Sequence, residues 1–478
     1  MNFYDSFTKG AQRVLVIAQE EARRMGHNYV GTEHILLGTV KEESSVSSLL
    51  EKLGVTYERV CDEIEELVGM GDFKFSEAFG YTPRTKRVLE MSREEAAKLI
   101  CTTDRTEVLS GADGVLSMLM AQPLEVFRRD LEICEKYGVK INVGDTRNPA
   151  GIFRFLRTVP VMLDVLKDVQ RYCPNAVFLN YTNPMAMLCR AMQEAAPEVL
   201  TTGLCHSVQH GIEKFSKILN IPVNEIEYTC AGINHLAYYL KLTHNGENLY
   251  PALRQRTLDD PAVYDEDIVR NEVFLALGYY VTESSGHFSE YSPWFRKRDD
   301  LLEKYCYRGT SWNTGRTNFT IEVREKRKAD YYTDLEKFLN EPADLQRGNE
   351  YAASIFNALF GDGQLYSFNG NVRNYGLIDN LPAGACVEVP VLASRNGLQP
   401  IHVGPIPDEL LPLMHLSSQI EEMAVRACFE GDRELIYKAI CYDPLTSAVL
   451  DLREIRQLVD ELFAFSEPWL PAGMRRKN

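Results

Sequence analysis

A cysteine and a histidine set thirty residues apart are the side chains of this sequence best suited to grip a metal ion. Cys205 lies in Gly203-Leu204-Cys205-His206-Ser207, and His235 closes Gly232-Ile233-Asn234-His235. Each ends an apolar, strand-like run, VLTTGLC and EYTCAGINH. A third run just upstream, AVFLNYTNP, carries Asn180 and Asn183 at its own end. In open α/β sheets that end of the strands is where ligands bind. One thiolate and one imidazole leave a divalent ion with open positions, which suits an ion that holds a substrate rather than one that staples a fold. The same spacing also fits a buried cysteine and a satisfied core histidine, and residue types alone leave both readings open.

The chain has 478 residues, 45% hydrophobic and 25% charged, enough for two or three domains with sizeable cores. A formal net charge of −16 and a pI near 5.2 oppose a phosphate backbone and an anionic bilayer, which argues against nucleic acid and membrane as partners. The basic runs Arg296 to Arg298 and Arg324 to Lys328 sit among acidic residues and read as solvated helix face or loop. The eleven cysteines are scattered, no CxxC pair occurs, and Asp5 and Lys9 stand where a signal peptide would have an apolar core, so a reducing cytoplasm is expected. Apolar stretches such as Val115 to Met120 fall far short of the ~18 residues that a membrane span needs.

Residues 1 to 99 read as helices only, with Ala11, Val14, Leu15, Ala18 and Ala22 forming one stripe and His34 to Leu37 opening another. FTKGAQRVLVIAQEEA at Phe7 to Ala22 recurs as YTPRTKRVLEMSREEA at Tyr81 to Ala96, an internal repeat at an offset of 74. Thr8 and Thr82 are natural N-caps, and Pro83 suits a first helical position. Together with GHNYVGTEHILLG at Gly26 to Gly38, this stretch resembles the N-terminal repeat domain of the Clp ATPases, with the second repeat stopping after about one helix. The resemblance implies a small helical bundle able to dock a protein adaptor. No GxxxxGK[ST] loop occurs, so the ATPase module is missing. His34 is read as a capping or core histidine of this bundle.

From about residue 100 the texture changes to alternating helix and short apolar strand, the pattern of an α/β domain with a parallel sheet. Strands are expected at ADGVLSML, AVFLNYTNP and VLTTGLC, with helices at VPVMLDVLKDVQRYCP, MAMLCRAMQEAAP and VQHGIEKFSKILN. Mixed strands (IEYTC, LAYYLKL, ACVEVPVL) and long helices after Pro407 follow. The expected fold class is α/β: a truncated Rossmann-like sheet plus a mixed α+β C-terminal domain, preceded by a small all-α domain. The boundaries are 1–99, 100–202 and 203–478, with the first seam falling anywhere between about 98 and 112.

NYTNPMAMLCRAM, GLCHSVQ, AGINHLAYYL, GYYVTESSGHFSEYSPWFRKR and GNVRNYGLIDNLPAGACVEVP, in that order, make residues 100 to 472 resemble glycoside hydrolase family 4, in particular its α-galactosidase-like, α-glucosidase-like and α-uronidase members. The resemblance implies hydrolysis of α-glycosides with NAD and a divalent metal, usually manganese, in place of the carboxylate pair of other glycosidases. The sugar is oxidised at carbon 3, the acidified proton on carbon 2 is removed as the glycosidic oxygen leaves, water adds, and the hydride returns. Cys205 and His235 then correspond to metal ligands, His206 to the proton donor for the leaving group, and Asn183 to a substrate-binding asparagine. Tyr279 corresponds to the base at carbon 2, with Tyr280 nearly as suitable. His206 has a second reading as a partner that orients Cys205. Asp145 and Arg147 occupy a loop the family lays beside nucleotide and sugar, although Asn148 stands where a glycine is usual. Glu283, His287 and Glu290 fit either a site or a structural hydrogen-bond network and stay outside the site. Homo-oligomers are implied as well.

The resemblance breaks at its start. A strand, a glycine-rich turn and a helix, followed by an acidic residue, would hold NAD, and the Clp-like segment stands in their place. Gly69-Met70-Gly71 follows a helical pattern and lacks the later glycine, so it reads as a turn, and the cofactor-binding residues stay unassigned. An incomplete parallel sheet exposes an apolar edge. The alternative function is therefore a non-catalytic sugar-binding and protein-docking fusion.

Overall fold

The computed structural model describes residues 7–71, 80–94, 100, 102–307, 313–340 and 350–476. Residues 95–99, where the repeat's last matched positions and one expected boundary fall, lie outside the described residues. The chain divides into two compact units, Met1–Thr103 with Ala329–Glu350, and Asp104–Lys328 with Tyr351–Asn478.

In the first unit, helices Lys9–Arg24, Thr32–Lys41, Ser45–Lys52, Tyr57–Leu67 and Pro83–Glu94 follow the expected stripes. Thr8 caps the first helix by accepting from the Ala11 amide, and the Thr82 hydroxyl accepts from the Thr85 amide ahead of the last. The helices-only expectation is corrected by two short strands, β1 (Tyr29–Val30) and β2 (Gly80–Tyr81), which pair in parallel. Two-residue strands carry no alternation long enough to read.

His34 is fully buried at the start of helix Thr32–Lys41. Its Nδ1 accepts from the Gly31 amide at 2.9 Å, and its Nε2 meets His27 Nδ1 at 2.8 Å. It is thus both cap and core. Gly69 of the GxG lends its carbonyl oxygen to His27 Nε2 at 2.8 Å, a structural role within the repeat.

The second unit is built on one nine-stranded sheet in the order β3-β4-β5-β9-β10-β6-β7-β8, with β11 beside β10. The strands are β3 (Gly114–Ser117), β4 (Val177–Asn180), β5 (Thr201–Leu204), β6 (Glu227–Ile233), β7 (Leu236–His244), β8 (Glu247–Asn248), β9 (Tyr366–Arg373), β10 (Cys386–Ser394) and β11 (Gly397–Pro400). β3, β4 and β5 are parallel and linked by helices, whereas the rest of the ladder is antiparallel. Every residue of β4 and β5 is buried, as expected of parallel strands covered on both faces. The residue 202/203 boundary lies within β5, so one sheet serves both of the expected parts. Among the described residues β3 pairs only with β4, and Leu116 and Met118 nearby are 46% and 77% exposed.

Helix Asn148–Tyr172 starts eleven residues earlier than the Val159 expected from its apolar pattern. Pro149 occupies its first turn, where no amide donor is needed. Asn148, which stands where a glycine would be usual, itself adopts the left-handed conformation (φ 62°), one of the few side chains that tolerates it.

Burial pushes the His34 pKa down from 6.5 to about 4. The unfolded chain therefore binds more protons between these values, and stability is complete above pH 6.5 and lost as pH falls toward 4, by roughly 3 kcal/mol at the limit. Amide protection factors in helix Thr32–Lys41, corrected for the intrinsic pH dependence of exchange, should fall as pH drops through that window in the wild type. In His34→Asn, exchange should be faster at pH 7, with the gap between the two proteins narrowing as pH falls.

Candidate metal and sugar site

Three chain crossings meet at the end of the parallel strands. Cys205 follows β5, its backbone held from both sides by Tyr351, whose hydroxyl accepts from the Cys205 amide at 3.0 Å and donates to its carbonyl at 2.9 Å. His235 follows β6 in the tight turn to β7, in the left-handed conformation (φ 61°), and is 4% exposed. Glu283 arrives from the segment after Tyr279, which pairs with the start of β7 through the Thr282 amide and the Ala237 carbonyl at 2.9 Å. One ligand atom each from Cys205, His235 and Glu283 lies within 4.8 Å of the others, a spread that one ion can bridge. His235 Nε2 stands 3.4 Å from Glu283 Oε2.

A sulfur, an imidazole nitrogen and a carboxylate oxygen make a mixed donor set that accepts a divalent transition ion. Burial, with Glu388 and Glu283 nearby, pushes the Cys205 thiol up to about 12, so a cation is needed to hold its thiolate. Glu283 is ionised. Burial opposes its charge, but His235 and His287 hold it well below the ordinary carboxylate range. His287 bridges two carboxylates, Nδ1 lying 2.9 Å from Glu283 Oε1 and Nε2 3.5 Å from Asp145 Oδ1. These partners raise its pKa despite burial.

The loop Asn142 to Asn148 forms the wall beside His235. Glu290 cages its start, accepting from the amides of Asn142, Val143 and Gly144 at 2.7, 2.9 and 2.9 Å. Arg147, 2% exposed, pairs with Glu421 at 2.9 Å, donates to the Asn234 carbonyl at 2.5 Å and lies over the Tyr291 ring at 5.0 Å. The Asn234 amide reaches Glu388 Oε2 at 3.3 Å, so both residues of the Asn234-His235 turn are tied down.

The other predicted positions separate. His206 begins helix Ser207–Leu219 directly after Cys205 and stacks on Tyr181 at 5.3 Å. Asn183 Oδ1 accepts from the Met185 amide at 3.1 Å, and its carbonyl from Arg154 Nε at 3.3 Å, so among the described residues its side-chain nitrogen is left without a protein partner. Asn180 closes the preceding turn on Thr182. Tyr279 is half-buried against Tyr250, ring centres 5.8 Å apart, and among the described residues no hydrogen bond or ring contact ties it to the triad. Tyr280 is fully buried and donates its hydroxyl to Asn271 at 3.0 Å.

Of the three residues kept outside the site, Glu290 is a structural anchor, Glu283 joins the candidate ligands, and His287 links Glu283 to Asp145. Sequence reasoning missed Thr146, whose hydroxyl contacts His235 Nδ1 at 2.8 Å. Its signal lay in Gly151, where a Cβ would come within 2.8 Å of the Thr146 backbone carbon, marking a loop pressed against a helix.

Residues 82–221 match the family 4 glycosyl hydrolase model and 230–446 that of its C-terminal domain, while 6–109 match the Clp repeat N-terminal domain. An α-galactosidase of Rhizobium meliloti (strain 1021) is 35% identical over 391 residues, covering 80% of this chain and 79% of its own. One from Bacillus subtilis (strain 168) is 37% identical over 373 residues, covering 77% and 84%. The chain belongs to the family 4 glycosyl hydrolases. Among solved structures, a putative glucosidase of Bacillus subtilis aligns with a TM-score of 0.67 at 22% identity over 95% of this chain and 97% of that one. A 6-phospho-α-glucosidase from gut microorganisms, solved with NAD and Mn2+, aligns with a TM-score of 0.64 at 17% identity over 97% and 98%. No described helix is long and apolar enough to cross a membrane.

Cys205→Ser and His235→Ala should each weaken Mn2+ binding beyond the ~10–100-fold typical of losing an outer partner. Glu283→Gln should weaken it while leaving it measurable. Calorimetric titration of the folded variants checks this, and unchanged affinity in either of the first two removes the site.

Proposed function

We propose that this chain is an NAD- and divalent-metal-dependent glycosidase cleaving α-galactosides or α-glucosides by oxidation at carbon 3, elimination and hydration. The observation that carries the reading is the convergence of Cys205, His235 and Glu283 at the end of β5 and β6. The two α-galactosidase relatives favour galactose.

When bound, NAD takes up and returns the hydride, and the metal polarises the oxygens on carbons 2 and 3. Cys205, His235 and Glu283 hold the ion. Asn183 offers its side-chain nitrogen to a sugar hydroxyl. His206 gives a proton to the departing glycosidic oxygen, a task an imidazole performs near neutral pH. Tyr279 would act as its phenolate, with the bound cation helping to hold that charge, taking the proton from carbon 2 on its oxygen and becoming the neutral phenol. Residues 100–202 form a partial dinucleotide-binding part and 203–478 the family's C-terminal part, and residues 1–99 offer a surface for a protein adaptor. A homo-oligomer in the cytoplasm completes this reading.

A second reading is favoured by β3, which stands at the end of the sheet with exposed apolar neighbours where a dinucleotide-binding half would continue it. On that reading the chain binds sugar and docks protein without turnover.

Release of phenol from an aryl α-galactoside with Mn2+, with and without NAD, separates the two. NAD-dependent release that Cys205→Ser abolishes is expected; retained sugar and Mn2+ binding without turnover supports the second reading. In the active protein Tyr279→Phe should lower kcat by about 10²–10⁴-fold with sugar affinity kept, checked by steady-state kinetics and by exchange of the carbon 2 proton into deuterated solvent.

A further inference from the structure

We propose that Thr146 is a positioning residue of the metal site, fixing the tautomer of His235 so that Nε2 presents a lone pair toward Cys205 and Glu283. This deepens the reading of those three residues as metal ligands and rests on it.

A threonine hydroxyl has one proton to give. Thr146 spends it on Asp145, donating to Oδ1 at 2.8 Å. Asp145 is a buried carboxylate facing the His287 imidazole at 3.5 Å, with the Arg154 guanidinium nearby, and as an ionised group it only accepts. The same Thr146 oxygen lies 2.8 Å from His235 Nδ1. With its proton committed, it contributes to this second contact only as an acceptor, so Nδ1 carries the hydrogen. The neutral ring then has its lone pair on Nε2, the nitrogen 3.4 Å from Glu283 Oε2. A carboxylate is thus relayed through a hydroxyl to the imidazole, in the way outer partners orient metal-binding histidines.

The ring has another stable arrangement within reach. A proton on Nε2 would donate to the Glu283 carboxylate, joining two candidate ligands to each other and leaving neither nitrogen properly placed for an ion. The acceptor at Nδ1 tips the balance. Burial of the site keeps water from replacing it, since Thr146 is 1% and His235 4% exposed.

Thr146→Val keeps the shape and removes the acceptor; Thr146→Ser keeps the acceptor. Asp145→Asn reverses the relay, because its amide nitrogen donates to the Thr146 oxygen and turns the Thr146 proton toward Nδ1. Mn2+ titrated calorimetrically into the full-length proteins, without NAD or sugar, should bind about 10–100-fold more weakly to Thr146→Val and Asp145→Asn than to the wild type, and within about threefold of wild type to Thr146→Ser. Nitrogen-15 shifts of labelled histidine should place the His235 proton on Nδ1 in the metal-free wild type and on Nε2 in Thr146→Val. Equal Mn2+ affinity in Thr146→Val and wild type, or an Nε2 proton in the wild type, overturns the inference and leaves the metal site standing. A wild type that binds no Mn2+ overturns the metal site itself.

Discussion

Glu290 accepts three consecutive backbone amides, those of Asn142, Val143 and Gly144, and the wall of the candidate site depends on that cage. A loop buried this deeply must find partners for every N–H, and one carboxylate supplies three. With its start pinned, the loop delivers Asp145 to His287, Thr146 to His235, and Arg147 to Glu421 and the Asn234 carbonyl. The left-handed Asn148 then turns the chain into the long helix. Loss of the cage would release the second support of His235 along with the loop.

The electrostatics of the site are organised by alternation. Asp145, His287, Glu283 and His235 follow one another as acid, base, acid, base at distances from 2.9 to 3.5 Å. The His287 imidazolium stands between the Asp145 and Glu283 carboxylates, so each of these three buried charges has an opposite neighbour, which offsets the cost of removing it from water. Among the described residues the thiol of Cys205 has no cationic neighbour of this kind. Burial and the nearby Glu388 and Glu283 push its pKa up. The row of charges is thus set by the protein's own side chains.

Two sequence textures meet in this chain and fold by different rules. In the helical repeats, short caps and small buried residues do most of the positioning, with the His27–His34 pair closing the first repeat. In the second unit the sheet is the organiser. Its parallel strands β3 to β5 and its antiparallel strands β6 to β10 form one continuous ladder, so Cys205 at the end of a parallel strand faces His235 at the end of an antiparallel one. The exposed side of β3 shows where that ladder stops among the described residues.

Much was legible from order and type alone. Period and capping residues determined the helices of the repeats, apolar runs located β4, β5 and β6, and motif order named the family and singled out Cys205 and His235. These features are local, carried by consecutive residues. Tertiary structure alone decided that Glu283 rather than Glu290 faces the sulfur, that Tyr280 is committed to Asn271 while Tyr279 is not, and that Thr146 touches His235. Glu283 lies just ahead of helix Ser285–Tyr291 and Glu290 within it, in one motif and identical in chemistry, and only the direction each side chain takes in the packed protein tells a ligand from an anchor. The contact between Thr146 and His235 spans 89 residues of chain, and no periodicity or spacing records a meeting made by two loops of different strands.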